Sequence, residues 1–276
     1  MTIVLFQVEY TADAMKLELI EIASRNDPLL TVFGDVTFGQ CEEVIESQPI
    51  TFTSPESFIA LPRFDVSRKL ATMTFQFKTV EANGMIMYNG GSFGNIDSDF
   101  FAMEIIDGYL YLLLDLGSGA IKEKASRTRV DDGHPHIVFF QYGGKNGFIK
   151  VDAHQTEYTT PGRRSQLELE QLLFIGGLDF DRHNSYRLPK ELWSGILKYG
   201  YVGCLQDLVV NNNKIDLMTV ARTQRQRDIV TGCYRGEAKC DSQPCMHKGK
   251  CVEGWNRFTC DCRATEYTGD TCEQGR

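Results

Sequence analysis

The sequence lacks three features that would place it in common functional classes. Its longest apolar run, residues 109–114, has only the length of a strand, so we expect no direct membrane insertion in this chain. The first ten residues lack the basic start, long apolar core and small-residue cleavage site of a signal peptide. A formal net charge of -8 leaves no broad basic surface, which argues against nucleic acid as a partner.

Cysteine, in contrast, is concentrated at one end of the chain. Of the nine cysteines, six lie between residues 240 and 272, a segment too short to build a sufficient apolar core. Disulfides would stabilise such a segment by limiting the entropy of its unfolded state, and they persist in oxidising compartments. Zinc is the alternative, but the paired C-x-x-C knuckles of structural zinc sites are missing. We therefore expect an extracellular chain, and one without signal peptide or anchor is most simply a piece of a longer protein.

Residues 50–217 show the two-residue period of strands with one buried face. Apolar Met73, Phe75 and Phe77 alternate with polar residues. Asp107-Gly108 between two apolar runs is a strong hairpin signal, and residues 143–147 form a second, longer turn. Residues 218–230 are polar and irregular, and no segment has a sustained helical period. The pattern predicts an all-β fold, an antiparallel β-sandwich.

The cysteine-rich segment resembles an EGF-like module. The resemblance is carried by the spacing Cys240-x4-Cys245-x5-Cys251-x8-Cys260-x-Cys262-x9-Cys272, together with Phe258 and Gly269. Spacing alone leaves many disulfide pairings open. The resemblance implies the pairs Cys240–Cys251, Cys245–Cys260 and Cys262–Cys272.

A second resemblance covers most of residues 44–233. It is carried by Ser57-Phe-Ile-Ala-Leu-Pro, Asp99-Phe-Phe-Ala-Met-Glu, Asp107-Gly-Tyr-Leu, Leu116-Gly-Ser-Gly, Phe174-Ile-Gly-Gly-Leu and Tyr199-Gly-Tyr-Val-Gly-Cys. These segments are similar to the laminin-G-like family, whose fold is an antiparallel β-sandwich of the jelly-roll type. Pro135 stands where the family usually has an aromatic residue, so the strand there should start one or two residues later.

The order of the two modules resembles the central repeat of the α-neurexins, in which a laminin-G-like domain is followed directly by an EGF-like module. We expect residues 1–42 to be the remnant of a preceding laminin-G-like domain, residues 43–234 to form a laminin-G-like domain, and residues 236–274 to form the EGF-like domain. The resemblance also implies a closing disulfide between Cys204 and Cys233. Cys41 would be the closing cysteine of the preceding domain and would be unpaired here; a buried free thiol is the alternative.

The laminin-G-like resemblance implies one weak Ca²⁺ site on the rim of the sandwich. Carried over by position, its ligands are the side chain of Asp99 and the backbone carbonyls of Leu116 and Val202. Asp97 is an additional or alternative carboxylate. Calcium takes six to eight oxygen ligands, and water can supply those that the protein does not.

Other motifs carry weaker signals. The segment Cys240-Asp-Ser242-Gln-Pro244-Cys245 matches the C-x-S-x-P-C pattern for O-glucosylation of Ser242. Residues 90–94 match G-x-S-x-G, but a second strand rather than a helix should follow, so we expect no hydrolase and no enzyme. The histidines have no metal-ligand spacing and should be solvated or at a sheet edge: His134, His136, His154, His183 and His247.

The resemblance implies cell adhesion or receptor recognition in the extracellular portion of a presynaptic membrane protein. The sandwich rim would bind extracellular protein ligands of the synaptic adhesion type in a calcium-dependent way. The alternative is an extracellular-matrix module of the laminin, agrin or perlecan type that binds a sulfated glycan. The basic residues that could serve it form two short clusters, Arg163 with Arg164, and Arg222 with Arg225 and Arg227.

Overall fold

The computed structural model describes residues 9–12, 15–25, 27–28, 30–31, 48–66, 70–91, 99–178, 188–197, 199–226 and 228–275. It divides into two compact units, Met1–Glu46 and Ser47–Arg276. Cys41 and Asp97, both singled out above, lie outside the described residues.

The first unit contains an antiparallel hairpin and a short helix. Strand β1 (Glu9–Ala12) pairs with β2 (Met15–Glu18), and helix α1 (Leu19–Ser24) follows without a break. The side chain of Ala23 in α1 is buried.

The second unit contains two antiparallel sheets. The first has the order β12 (His154–Thr159), β11 (Asn146–Val151), β10 (His136–Gly143), β5 (Ala71–Lys78), β14 (Gly203–Val210), β3 (Ile50–Phe52) and β16 (Ile229–Thr231), and β15 (Asn213–Lys214) pairs with β14. The second has the order β4 (Ile59–Leu61), β13 (Leu173–Ile175), β6 (Gly84–Gly90), β7 (Phe100–Ile106), β8 (Tyr109–Asp115) and β9 (Ile121–Lys124). The predicted antiparallel β-sandwich is confirmed.

The main apolar core contains side chains from both sheets. On β5 every second residue is buried, as the sequence alternation predicts, which directs Met73, Phe75 and Phe77 into this core. Phe101 of β7 stacks on Phe140 of β10 with ring centroids 5.1 Å apart, so this contact joins the two sheets.

A second, smaller core explains why β6 and β7 are buried on both faces. Met85, Phe100 and Ala102 pack with Leu178 and Leu192, which come from the chain between β13 and β14. That connection also contains the short helix α2 (Trp193–Ile196).

A buried ion pair lies beside the second core. The Glu104 side chain is 0% exposed, and its carboxylate accepts hydrogen bonds from Lys122 Nζ at 2.9 Å and from the Ser194 N–H at 2.7 Å. This carboxylate thereby ties α2 to the second sheet.

Helix α3 (Leu217–Thr223) corrects the prediction of irregular chain over residues 218–230. The Asp216 side chain caps it by accepting the N–H of Thr219, and Leu217, Met218 and Ala221 are buried. The helix was missed because it has only two turns, too few for a sustained period. Strand β10 begins at His136, directly after Pro135, in agreement with the expected late start.

The cysteine-rich module contains a 3-10 turn (Cys240–Ser242) and the short pairs β17 (Lys250–Glu253) with β18 (Phe258–Asp261) and β19 (Tyr267–Thr268) with β20 (Gln274–Gly275). The described residues form four disulfides, the same pairs that the resemblances imply: Cys204–Cys233, Cys240–Cys251, Cys245–Cys260 and Cys262–Cys272.

The cysteine-rich module is docked on the sandwich. Trp255 of the module is 0% exposed and packs with Val202 and Cys204 of the sandwich. Beside it, the Glu81 carboxylate accepts hydrogen bonds from Arg257 Nε at 2.8 Å, Arg257 Nη2 at 3.0 Å and the Trp255 N–H at 3.0 Å. An apolar contact and a bidentate ion pair together hold the two modules in one orientation.

Candidate functional site

The candidate site lies at the rim of the second sheet, at the end where β7 begins and β8 ends. Their register pairs Phe100 with Asp115, so Asp99, which precedes β7, lies beside Leu116, which follows β8. Gly117 has a φ of +75°, and a Cβ there would lie 2.8 Å from Asp99 Oδ1. The sheet register therefore brings the Asp99 carboxylate against the backbone that follows Leu116.

The Asp99 carboxylate is buried but incompletely neutralised. Its side chain is 3% exposed, Oδ2 accepts the N–H of Glu168 at 2.8 Å, and Oδ1 lies 3.6 Å from Arg164 Nη1. Burial raises the pKa of Asp99 above its usual value, although the Glu168 hydrogen bond and the Arg164 charge act in the opposite direction. A positive charge at this position would stabilise the carboxylate.

The surroundings of Asp99 are acidic. The charges of Glu168 and Asp115 both act to raise the pKa of Asp99. Asp115 Oδ1 is engaged in its own turn, where it accepts the N–H groups of Gly117, Ser118 and Gly119. Glu168 also lines a depression of about 450 Å³, together with the rest of residues 63–66 and 166–170.

Val202 does not belong to this site, which corrects one expected ligand. Its carbonyl accepts the hydroxyl of Thr79 at 2.7 Å, and Gly200 bridges Met85 near the first residue of β6. Asp99 is at the other end of β6, where Gly90 pairs with Phe100. Because a strand of seven residues spans about 20 Å, the two positions lie at opposite ends of the sheet.

The remaining residues fit a cation of the calcium type. Within the described ranges, no group of three or more His, Cys, Asp and Glu side chains is placed to hold a metal ion. The rim provides instead one buried carboxylate beside backbone that can supply a carbonyl, a donor set that suits a hard cation with water completing its coordination.

Other predicted residues lie away from the rim. Ser242 is exposed at the end of its 3-10 turn, where its hydroxyl donates to the Lys239 carbonyl at 2.8 Å. Arg222 lies in α3, Arg225 follows it, and Arg227 lies outside the described residues. Gly90 ends β6, and residues 92–94 of the G-x-S-x-G segment, like His183, are also outside them.

His136 is buried, not solvated or at a sheet edge as predicted. Its ring nitrogens lie 2.8 Å from the Asp152 carboxylate and 3.1 Å from that of Asp132. β10, on which it lies, runs between β5 and β11 inside the first sheet. Two flanking carboxylates explain how a polar ring is accommodated at this depth.

Sequence reasoning did not associate Arg164 and Glu168 with Asp99. Both come from the connection between β12 and β13, far from Asp99 along the chain. In the sequence, Arg164 stands out only as a neighbour of Arg163, and such a pair of basic residues predicts a solvated surface. Only the fold brings this connection to the rim.

Comparisons with known proteins agree with the two-module organisation. The laminin G domain family matches residues 77–213, and the EGF-like domain family matches residues 240–271. Neurexin-3a of Danio rerio is 42% identical over 97% of this chain, and Neurexin-2 of Mus musculus is 41% identical over 97%. The chain spans only 16% of the length of each of these relatives.

Solved structures support the sandwich fold. The LG1-3 region of the laminin alpha2 chain matches with a TM-score of 0.58 and 21% identity, covering 72% of this chain and 37% of that one. Domains LG4-5 of the mouse laminin alpha1 chain match with a TM-score of 0.55 and 22% identity, covering 74% and 53%. Identities this low show the fold alone.

The four disulfides are typical of an oxidising, extracellular environment. Among the described residues, no helix is both long and apolar enough to span a bilayer. The family matches, the relatives' identity over nearly the whole chain and the observed sandwich lead to one assignment. The chain belongs to the neurexin family, of which it carries a laminin G domain followed by an EGF-like module.

Proposed function

We propose that the rim around Asp99 binds calcium and that the occupied rim recognises extracellular protein ligands of the synaptic adhesion type. The observation that carries this proposal is the Asp99 carboxylate, which is buried at the sheet rim and has a pKa raised by that burial and by the charges of Glu168 and Asp115. Placing such a group at a rim is unfavourable unless a cation compensates it.

The Asp99 carboxylate and the Leu116 carbonyl would hold the ion, and water would complete its shell. Calcium supplies a compact double charge that neutralises the acidic rim and can take an oxygen ligand from a partner. With one buried carboxylate the affinity should fall in the range of extracellular modules, a Kd of about 10⁻⁴–10⁻³ M. The site would therefore respond to extracellular calcium.

The setting that we propose is the extracellular portion of a presynaptic cell-surface protein, with a non-catalytic role. The proposal includes the division of this chain into a remnant of a preceding domain (residues 1–42), a laminin-G-like domain (residues 43–234) and an EGF-like domain (residues 236–274). It also includes O-glucosylation of Ser242, which is supported by the exposure of that side chain. Sulfated glycans fit the rim less well, because Arg164 faces Asp99 and the neighbouring carboxylates would repel sulfate.

Calorimetric titration with calcium tests the ion site. Asp99→Asn should weaken binding by at least about tenfold, because the amide carries no charge and is a poorer ligand for calcium. Asp107→Asn is the matched control: it makes the same change at the other end of β7, in an exposed turn whose positive φ asparagine tolerates. Equal binding by the two variants would place the ion elsewhere.

A binding assay with solubilised brain membranes tests the recognition function. Proteins retained by the wild-type chain in calcium should be lost in chelator and lost with Asp99→Asn, but retained with Asp107→Asn. If the same proteins are retained in chelator and by the Asp99→Asn variant, recognition does not take place at this rim.

A further inference from the structure

The Arg164 side chain lies beside the Asp99 carboxylate, the group that would bind a cation at the rim. Its Nη1 atom is 3.6 Å from Asp99 Oδ1. A Cβ built on Gly117 would be 2.6 Å from the same Nη1 and 2.8 Å from Asp99 Oδ1. The guanidinium therefore lies beside both the Asp99 carboxylate and the backbone that follows Leu116.

Two cations cannot occupy this position together. A guanidinium and a calcium ion within a few Å repel each other, and the repulsion is strongest where burial lowers the effective dielectric constant. Within the part of the chain that the structure describes, Glu168 and Asp115 are the other charged groups that act on Asp99, and both are acidic. Arg164 is thus the compensating cation of the rim when no ion is bound.

The Arg164 side chain is also able to leave. It is 59% exposed, and its separation from Asp99 is longer than a hydrogen bond. It lies outside the regular strands, in the connection between β12 and β13. Among the described residues, its contact with Asp99 is one of charge alone, and a long, exposed side chain held in this way can turn into solvent without disturbing the sheet.

We propose that Arg164 is a built-in competitor of calcium, which partly neutralises Asp99 in the free protein and must be displaced for the ion to bind. The inference rests on the calcium site proposed above and adds the residue that sets its affinity. Arg164 would lower the calcium affinity of the rim and at the same time stabilise the ion-free fold.

The test is calcium titration of Arg164→Gln beside Arg163→Gln. The two variants make the same charge change one residue apart. Arg164→Gln should lower the calcium Kd about tenfold, equivalent to about 1.4 kcal/mol, whereas Arg163→Gln should leave it within about twofold. In chelator, Arg164→Gln should melt at a lower temperature than Arg163→Gln, and added calcium should remove that difference.

Three results would count against the proposal, and they differ in what they overturn. An equal decrease of the calcium Kd in both variants would mean that the net charge of the region sets the affinity. Arg164 would then not compete with calcium at Asp99. Unchanged affinity in Arg164→Gln, with calcium still bound through Asp99, would leave the ion site standing and overturn the competition alone. No binding by any variant at about 10 mM calcium, above the usual range of such modules, would overturn the proposed ion site and the competition together.

Discussion

Replacing Trp255 with alanine should release the EGF-like module from the sandwich. The indole is fully buried between the modules, and removing a large buried aromatic side chain costs about 3–5 kcal/mol. Small-angle X-ray scattering should show an increased maximum dimension. Proteolysis between residues 232 and 239 should become faster, because this connection would no longer be held by a docked module.

Two controls separate loss of docking from general damage. Trp255→Phe should cost far less, since a ring remains and the indole Nε1 has no hydrogen-bond partner among the described residues. Val252→Ala, at an exposed position of the same module, should have little effect. If Trp255→Ala leaves the scattering and the proteolysis unchanged, the modules are not held by this contact.

Replacing Lys122 with methionine should strongly destabilise the sandwich. The change leaves the Glu104 carboxylate, which is 0% exposed, without its cation, and breaking a buried ion pair from one side costs about 3–5 kcal/mol. For a domain of this size, calorimetry should then show a melting temperature lower by about 10 °C.

The companion variants make this prediction specific to Glu104. Lys124→Met on the same strand removes a cation that lies 3.2 Å from the Tyr109 ring centroid, a contact worth about 1 kcal/mol. Adding Glu104→Gln to Lys122→Met should recover part of the loss, because the uncompensated charge is gone. If Lys122→Met and Lys124→Met melt alike, the buried pair contributes little.

The sheets could be predicted well from the sequence because their signals are local. The alternation of Met73, Phe75 and Phe77 became the buried face of β5, and Asp107-Gly108 became the turn between β7 and β8. Helix α3 was missed although it has a local signal, an N-cap at Asp216 followed by buried Leu217 and Ala221. Two turns are too short to show a helical period, so the capping residue Asp216 is the stronger indication of this helix.

The candidate site was predictable only where two strands are neighbours. Asp99 and Leu116 come together because one hairpin fixes their register. Val202 was carried over by family position, and it directly precedes β14, which belongs to the other sheet, at the opposite end of β6 from Asp99. Arg164 and Glu168 reach the rim through a long connection, whose path depends on packing that no local pattern encodes.

If a cation belongs at the rim beside Asp99, a crystal structure grown in calcium should show it. One ion should lie about 2.3–2.6 Å from an Asp99 carboxylate oxygen and from the Leu116 carbonyl, with the Arg164 side chain turned into solvent. No ion should lie near Val202. An empty rim at millimolar calcium, with Arg164 still against Asp99, would mean that Asp99 does not bind the ion.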